Sequence, residues 1–275
     1  MKLSAAVLTG VILVLALAIT ARPARAQGSP AGDDRLILGA NGSTLTGGSG
    51  GGGGAVTWLH GFSAGTLAGV GAEHQAISDA HWTLGSVIGA VTLGTESGPR
   101  TSFSGEVHEG SGDIARKNFN YSLVVLGVSR TLTKDLSVQL EERQIDIDTS
   151  HGSLPKLGFT YVWNRRFQTS LAYAYTVGGN LGTELVSARA DYFGARAGFL
   201  GGGAVGHGAP AVVNLQTGII EQPALVLKEV FVGASKPFSR FNLQLVIDYL
   251  ELASTKRTTL TLTCTLPLRE RSTSK

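Results

Sequence analysis

The chain has 275 residues, with 23 lysines and arginines, 20 aspartates and glutamates, 38 glycines and a single cysteine. One cysteine excludes an intrachain disulfide and any multi-cysteine metal centre. Lys2, Arg22 and Arg25 all lie in the first 26 residues, which hold no acid. The remainder is therefore neutral, and its basic isoelectric point gives no ground for a nucleic-acid partner.

Residues 1–26 read as a cleaved signal peptide. Lys2 forms a short positive n-region, Ala5 to Ala21 form the apolar core, and Ala24-Arg25-Ala26 fits a small-x-small cleavage site. The mature chain, 27–275, contains no further apolar run near the length of a spanning helix. An exported chain of this kind is either a periplasmic β-sandwich or an outer-membrane barrel.

From the N-terminus, "LILGANGSTLTGGSG" alternates poorly, because glycine reports no face. "AVTWLH" suits a strand and leads into Gly61-Phe62-Ser63-Ala64-Gly65, the G-x-S-x-G pattern of a nucleophile elbow. An elbow needs a helix after the serine. Gly69 and Gly71 weaken one here, so a strand–turn–strand hairpin with Ser63 in the turn is expected.

Further on, "FNYSLVVLGV" sets Phe119, Tyr121, Leu123 and Val125 against Asn120, Ser122 and Val124. "LSVQLEERQIDI" begins with Leu136, Val138 and Leu140 in one phase and resumes with Ile145 and Ile147 in the other, which predicts a bulge or strand end near Glu142. "LGFTYVWN" and "SLAYAYTV" alternate large apolar with small or polar residues. So does "FNLQLVIDYLEL", with Leu243, Leu245, Ile247 and Tyr249 opposite Gln244, Val246 and Asp248. "TTLTLTCTLPL" sets Thr259, Thr261, Thr263 and Thr265 against Leu260, Leu262, Cys264 and Leu266.

Short connections mostly alternate with longer glycine-rich or polar ones, among them "GGSGGGGG", "EGSGDIARK", "DTSHGSLP" and a long segment over 201–223. That alternation, with period two along each strand, predicts an all-β fold: a transmembrane antiparallel up-and-down barrel of about 14 strands, or 12 if the 195–211 region is not a regular pair. Trp58, Phe119, Tyr121, Tyr161, Trp163 and Tyr249 are expected to form an interfacial girdle. The tail "RERSTSK" departs from barrels that end on an aromatic residue.

No catalytic site is predicted. His60, His74, His108, His151 and His207 make no close-spaced ligand pair, so neither a metal nor another cofactor is expected. Ser104 with His108, or Ser150 with His151, offers sequence proximity without triad geometry. The functional candidates are charged and amide groups on faces expected to line the lumen: Glu106, His108, Gln139, Glu141, Arg143, Arg189, Asp191 and Asp248. A charge facing lipid at mid-depth costs a few kcal/mol, so these belong inside. They either brace the barrel or form a constriction, and their mixed sign argues against strong ion selectivity.

The stretches "LEERQIDIDTSHGSLPKLGFTYVW" and "VGGNLGTELVSARADYFG" resemble YaiO-like outer-membrane β-barrel proteins, related in architecture to exopolysaccharide-export porin barrels. The resemblance covers mainly Leu140 to Gly194 and carries no catalytic residue with it. It implies a non-enzymatic barrel in the outer membrane of a didermal bacterium. The expected partners are outer-membrane lipid and lipopolysaccharide, the barrel-assembly machinery, and polysaccharide or small solutes in transit. The expected role is a passive channel or an accessory to such passage, with a salt-bridge-filled barrel acting through its external loops as the alternative.

Overall fold

The computed structural model describes residues 34–46, 50–63, 65–77, 80–94, 98–114, 117–147, 150–179, 182–208, 225–252 and 255–268. The expected leader, the tail after Leu268 and most of the long 201–223 segment lie outside these residues. The described chain forms fourteen strands: β1 (Asp34–Leu45), β2 (Gly50–Ser63), β3 (Thr66–Ile77), β4 (Ala80–Gly94), β5 (Arg100–Ile114), β6 (Lys117–Thr131), β7 (Leu136–Ile147), β8 (Ser150–Asn164), β9 (Phe167–Tyr175), β10 (Glu184–Phe193), β11 (Gly198–Gly208), β12 (Leu225–Pro237), β13 (Asn242–Leu252) and β14 (Thr255–Pro267). Each strand pairs antiparallel with its chain neighbours, and β14 returns to β1, closing the barrel. Closure pairs both sheet edges, so glycine-rich strands with few charges need no other edge protection.

The even strand count puts the start of β1 and the end of β14 at one rim, where Leu268 N–H donates to the Asp34 carbonyl at 2.7 Å. We call this the turn end and the opposite rim the loop end. Among the described residues, register shifts occur at the turn end only, between Gly61 and Ser63 and between Val162 and Asn164.

Exposed large apolar residues fall in register from strand to strand. Leu140, Leu157, Tyr173, Val186 and Val205 are neighbours across β7 to β11, and Ile247 and Leu260 across β13 and β14. This is the outer face. The run from Leu243 to Tyr249 covers about 20 Å of strand, on the scale of the ~25 Å apolar band of a membrane barrel. The alternate residues point inward.

Two expectations about faces are corrected. Phe119 and Tyr121 belong to no girdle: they are buried inside the barrel, whereas Trp58, Tyr161, Trp163 and Tyr249 are exposed on the outer face. Strand β7 also runs unbroken through Glu142, with continuous register to both neighbours. The change of apolar phase there reflects a change of environment. Leu140 belongs to the outer apolar belt, and Ile145, nearer the loop end, belongs to an apolar layer of the interior.

A third correction concerns connections. The glycine and polar runs read as loops are largely strand: Gly50–Gly54 open β2, Gly110 and Gly112 lie within β5, and His151–Pro155 lie within β8. Glycine is used there to let a neighbouring strand's bulky side chain cross over it. A Cβ on Gly110 would fall 2.8 Å from Leu84 Cδ2, and one on Gly112 would fall 2.6 Å from Trp82 Cβ. Ser63 ends β2 and is followed after one residue by Gly65 at φ 99°, the left-handed turn position that glycine tolerates, before β3 begins. The segment is a hairpin, as its glycines predict.

Candidate functional site: the barrel interior

The interior has three layers along the strands. At the loop end of β4–β8, Trp82, Leu84, Phe119, Tyr121, Leu123, Ile145 and Leu154 are all buried. They interlock because residues paired across β4, β5 and β6 alternate large, glycine, large: Leu84 and Tyr121 flank Gly110, and Trp82 and Phe119 flank Gly112. Burying a side chain such as Leu84 contributes about 1.5–3 kcal/mol. At the turn end, hydroxyl pairs bridge the inward faces of β4–β5 and β8–β9. Thr92 and Ser102 are hydrogen-bonded across strands at 2.8 Å, as are Thr160 and Ser170 at 3.0 Å.

Between these layers lie the charges. All eight candidate residues lie on inward positions. Glu106 and His108 are hydrogen-bonded on β5, with His108 Nε2 3.1 Å from Glu106 Oε2. On β7, Glu141 accepts from Arg143 Nε at 2.6 Å and from Gln139 Nε2 at 3.2 Å. On β10, Arg189 clamps Asp191 from two nitrogens, with Nε 2.9 and 3.0 Å from the two carboxylate oxygens and Nη2 2.7 Å from Oδ1. Asp248 stands apart on β13, buried and directly opposite Thr259 of β14.

The fold thus joins Glu106, His108, Gln139, Glu141 and Arg143 along β5 and β7, keeps Arg189 and Asp191 as a separate pair, and places Asp248 near the seam. It adds four charged residues that sequence reading missed. Lys156 of β8 reaches Glu141, Nζ to Oε1 3.7 Å, from the position directly opposite it. Glu73 of β3 accepts from Gln75 at 2.9 Å, while Glu229 of β12 and Arg257 of β14 face inward beside Asp248. Lys156 falls between the segment 148–155 read as a loop and the strand pattern that starts at Leu157, Glu73 lies in a glycine-rich stretch, and Arg257 directly precedes the threonine–leucine alternation of β14. Only the alternation of "LVLKEVFVG" offered a usable signal, for Glu229.

Most of these pairs share one geometry. Glu106–His108, Gln139–Glu141–Arg143, Arg189–Asp191 and Glu73–Gln75 are spaced i, i+2, the distance at which side chains share one face of a strand. Such bonds hold side chains along the wall and do not tie strands together. Lys156–Glu141 and Gln168–Asp191, the latter with Nε2 3.4 Å from Oδ2, cross between adjacent strands of this layer. A brace or a plug would need contacts across the interior; these lie flat. Arg189 keeps a half-exposed side chain (50 %) while its partner Asp191 is 7 % exposed, so the guanidinium is accessible from the interior.

Ser104 is inward on β5, but His108 there bonds to Glu106. His60 pairs with Asp34 at 2.6 Å and His81 with Asp113 at 2.7 Å. Among the described residues, no group of three or more His, Cys, Asp or Glu side chains could hold a metal ion.

No protein-family model matches this chain, and no curated protein matches it in sequence. Solved structures do match in shape. The CymD monoaromatic hydrocarbon channel aligns with a TM-score of 0.61 at 10% identity, over 87% of this chain and 90% of that one. A Pseudomonas aeruginosa FadL homologue aligns with a TM-score of 0.55 at 7% identity, over 86% and 91% of the two chains. The Acinetobacter baumannii outer membrane protein Omp33 aligns at 0.52 and 10% identity, over 86% and 98%. At these identities the likeness is one of fold. The chain is a closed fourteen-stranded antiparallel barrel with the architecture of outer-membrane channels.

Proposed function

We propose that this chain is a passive channel of the bacterial outer membrane. The observation that carries the reading is the arrangement of the interior charges: bonded along a strand or to the adjacent strand, they line the wall, and Arg189 remains accessible from inside. The outer apolar belt supports a membrane location, with outer-membrane lipid and lipopolysaccharide around it and the barrel-assembly machinery as the means of insertion. The likeness to channel structures supports transport over catalysis. Mixed-sign charge and a hydroxyl-rich turn end favour polar solutes with weak ion selectivity. The resemblance of Leu140 to Gly194 to YaiO-like barrels makes envelope polysaccharide a specific candidate cargo.

Single-channel recording of the refolded chain in a planar bilayer tests this. Discrete conductance steps that change when Arg189 or Arg143 is neutralised support the channel. A barrel that inserts, shifts on heating in detergent gels and conducts nothing supports the second reading, a filled structural barrel acting through its external loops. The packed apolar layer inside β4–β8 is the observation that favours that alternative.

A further inference from the structure

We propose that the turn end carries an arc of cations, from β6 to the β12–β13 turn, that binds the headgroups of anionic phospholipids. The inference rests on the membrane location proposed above and not on an open lumen. Six basic side chains are exposed along this arc. Arg130 lies near the end of β6, Arg165 and Arg166 in the β8–β9 turn, and Arg196 in the β10–β11 turn. Lys236 lies near the end of β12 and Arg240 in the turn that follows. Among the described residues, none of the six pairs with a carboxylate. Cations gathered without acids repel one another, and an anionic surface removes that cost.

The arc lies just past the outer apolar belt. Arg130 and Lys236 take outward positions, in register with Val138 and Leu243. Arg130 comes two residues after the outward Val128, about 7 Å of strand. Arg165 and Arg166 follow the exposed Trp163, and Arg196 follows the exposed Phe193, within three residues. Lys236 Nζ stands over the Phe238 ring, 5.2 Å from its centroid. The polar zone of one leaflet is about 5–7 Å thick, so cations at this distance meet lipid phosphates.

The opposite rim has the reverse sign. Outward positions at the loop end carry Glu109 and Asp113 on β5, and Glu142 and Asp146 on β7. A chain that is neutral after its first 26 residues thus divides its charge between two ends. The longest links between strands, 176–183 and 209–224, also leave the loop end, as external loops do. The turn end then meets the phospholipid leaflet rather than lipopolysaccharide.

Tryptophan fluorescence tests this. Trp58 and Trp163 are exposed on the outer face, while Trp82 is buried inside the barrel. In a Trp58→Phe background, Trp163 is the lipid-facing reporter beside Arg165. The refolded protein is placed in phosphatidylcholine vesicles containing brominated phosphatidylcholine or brominated phosphatidylglycerol, and quenching gives the relative association constant of the two lipids. Phosphatidylglycerol should be favoured about fivefold, the factor one basic residue contributes at an anionic surface. The preference should vanish in about 1 M sodium chloride, where charges are screened within a few ångströms. It should also vanish in Arg130→Gln/Arg165→Gln/Arg166→Gln/Arg196→Gln/Lys236→Gln/Arg240→Gln, and persist in Lys228→Gln/Lys256→Gln at the loop end. The salt comparison needs no charge variant and carries the test should the sixfold variant not fold. Equal quenching by both lipids in the parent would mean that the cations face water or an acidic soluble partner, and would overturn the proposal. A preference that survives either salt or the sixfold variant would place its source elsewhere and overturn it too. No quenching by either lipid would overturn the membrane location itself, and the proposal with it.

Discussion

The interiors of β4–β8 and β9–β11 are built from the same repeating geometry and filled in opposite ways. Along β4–β8 the inward positions carry Trp82, Leu84, Phe119, Tyr121, Leu123, Ile145 and Leu154, with the Glu106–Lys156 group of charges below them. Along β9–β11 they carry Ala172, Ala174, Ser170, Ser187, Gly202, Ala204 and Gly206, with Arg189 and Asp191 as the charged pair. Side-chain volume is concentrated on one wall and sparser on the other, where Gln168, Leu185 and Leu200 are the larger inward residues beside the charged pair. The channel proposed above would run against the small-residue wall, with the bulky wall as its rigid backing.

The comparison is broken most severely by adding volume where none fits. Gly110→Leu places a Cβ against the Thr83 carbonyl oxygen and 2.9 Å from Leu84 Cα. It should abolish the folded barrel, read as loss of the heat-shifted band on detergent gels. Ala172→Phe on the opposite wall should fold normally, because its direct cross-strand neighbours there, Gly158 and Ser187, are small. It should lower single-channel conductance, roughly twofold. If both variants fold alike, the two walls are not different in kind.

Removing volume sharpens the same contrast. Leu84→Ala leaves a cavity in the packed wall and should cost about 2–5 kcal/mol in reversible unfolding. Leu185→Ala, inward on β10 and only partly buried, should cost less. The outer belt gives the next effect: Leu262→Arg should cost ~2–4 kcal/mol if that face meets lipid at mid-depth. Thr261→Arg, one residue away and inward, should be tolerated and alter conductance.

The smallest stability effect is expected at Arg189. Its half-exposed pair with Asp191 contributes at most about 1 kcal/mol. Arg189→Ala should leave stability within that margin while changing ion selectivity. On the other wall, removing Arg143 leaves Glu141 with Lys156 at 3.7 Å as its remaining cation. A larger loss of stability in Arg143→Ala than in Arg189→Ala is the expected order.

Much of this was legible from alternation. "TTLTLTCTLPL" and "FNLQLVIDYLEL" announced both strand and facing, because threonine and leucine report opposite sides. The inward placement of all eight candidate residues followed from the cost of a charge in an apolar belt. Alternation failed where both faces look alike or where the same face changes environment. Phe119 and Tyr121 are as apolar as any girdle residue, and only the glycines across from them on β5 show that they pack inside. The phase change after Leu140 mimicked a bulge because the apolar side of β7 passes from outer belt to inner layer.

The sequence by itself determined the strands, their approximate number, the outer apolar face and the need for closure. Those depend on local period and on the cost of unpaired backbone, which every residue reports for itself. Only the tertiary structure decided that glycine runs were strand and that Lys156 meets Glu141. It alone decided that Asp248, Thr259 and Ser43 stand side by side. Those facts depend on register, and register across β14 and β1 joins residues more than two hundred positions apart, where no local pattern carries the information.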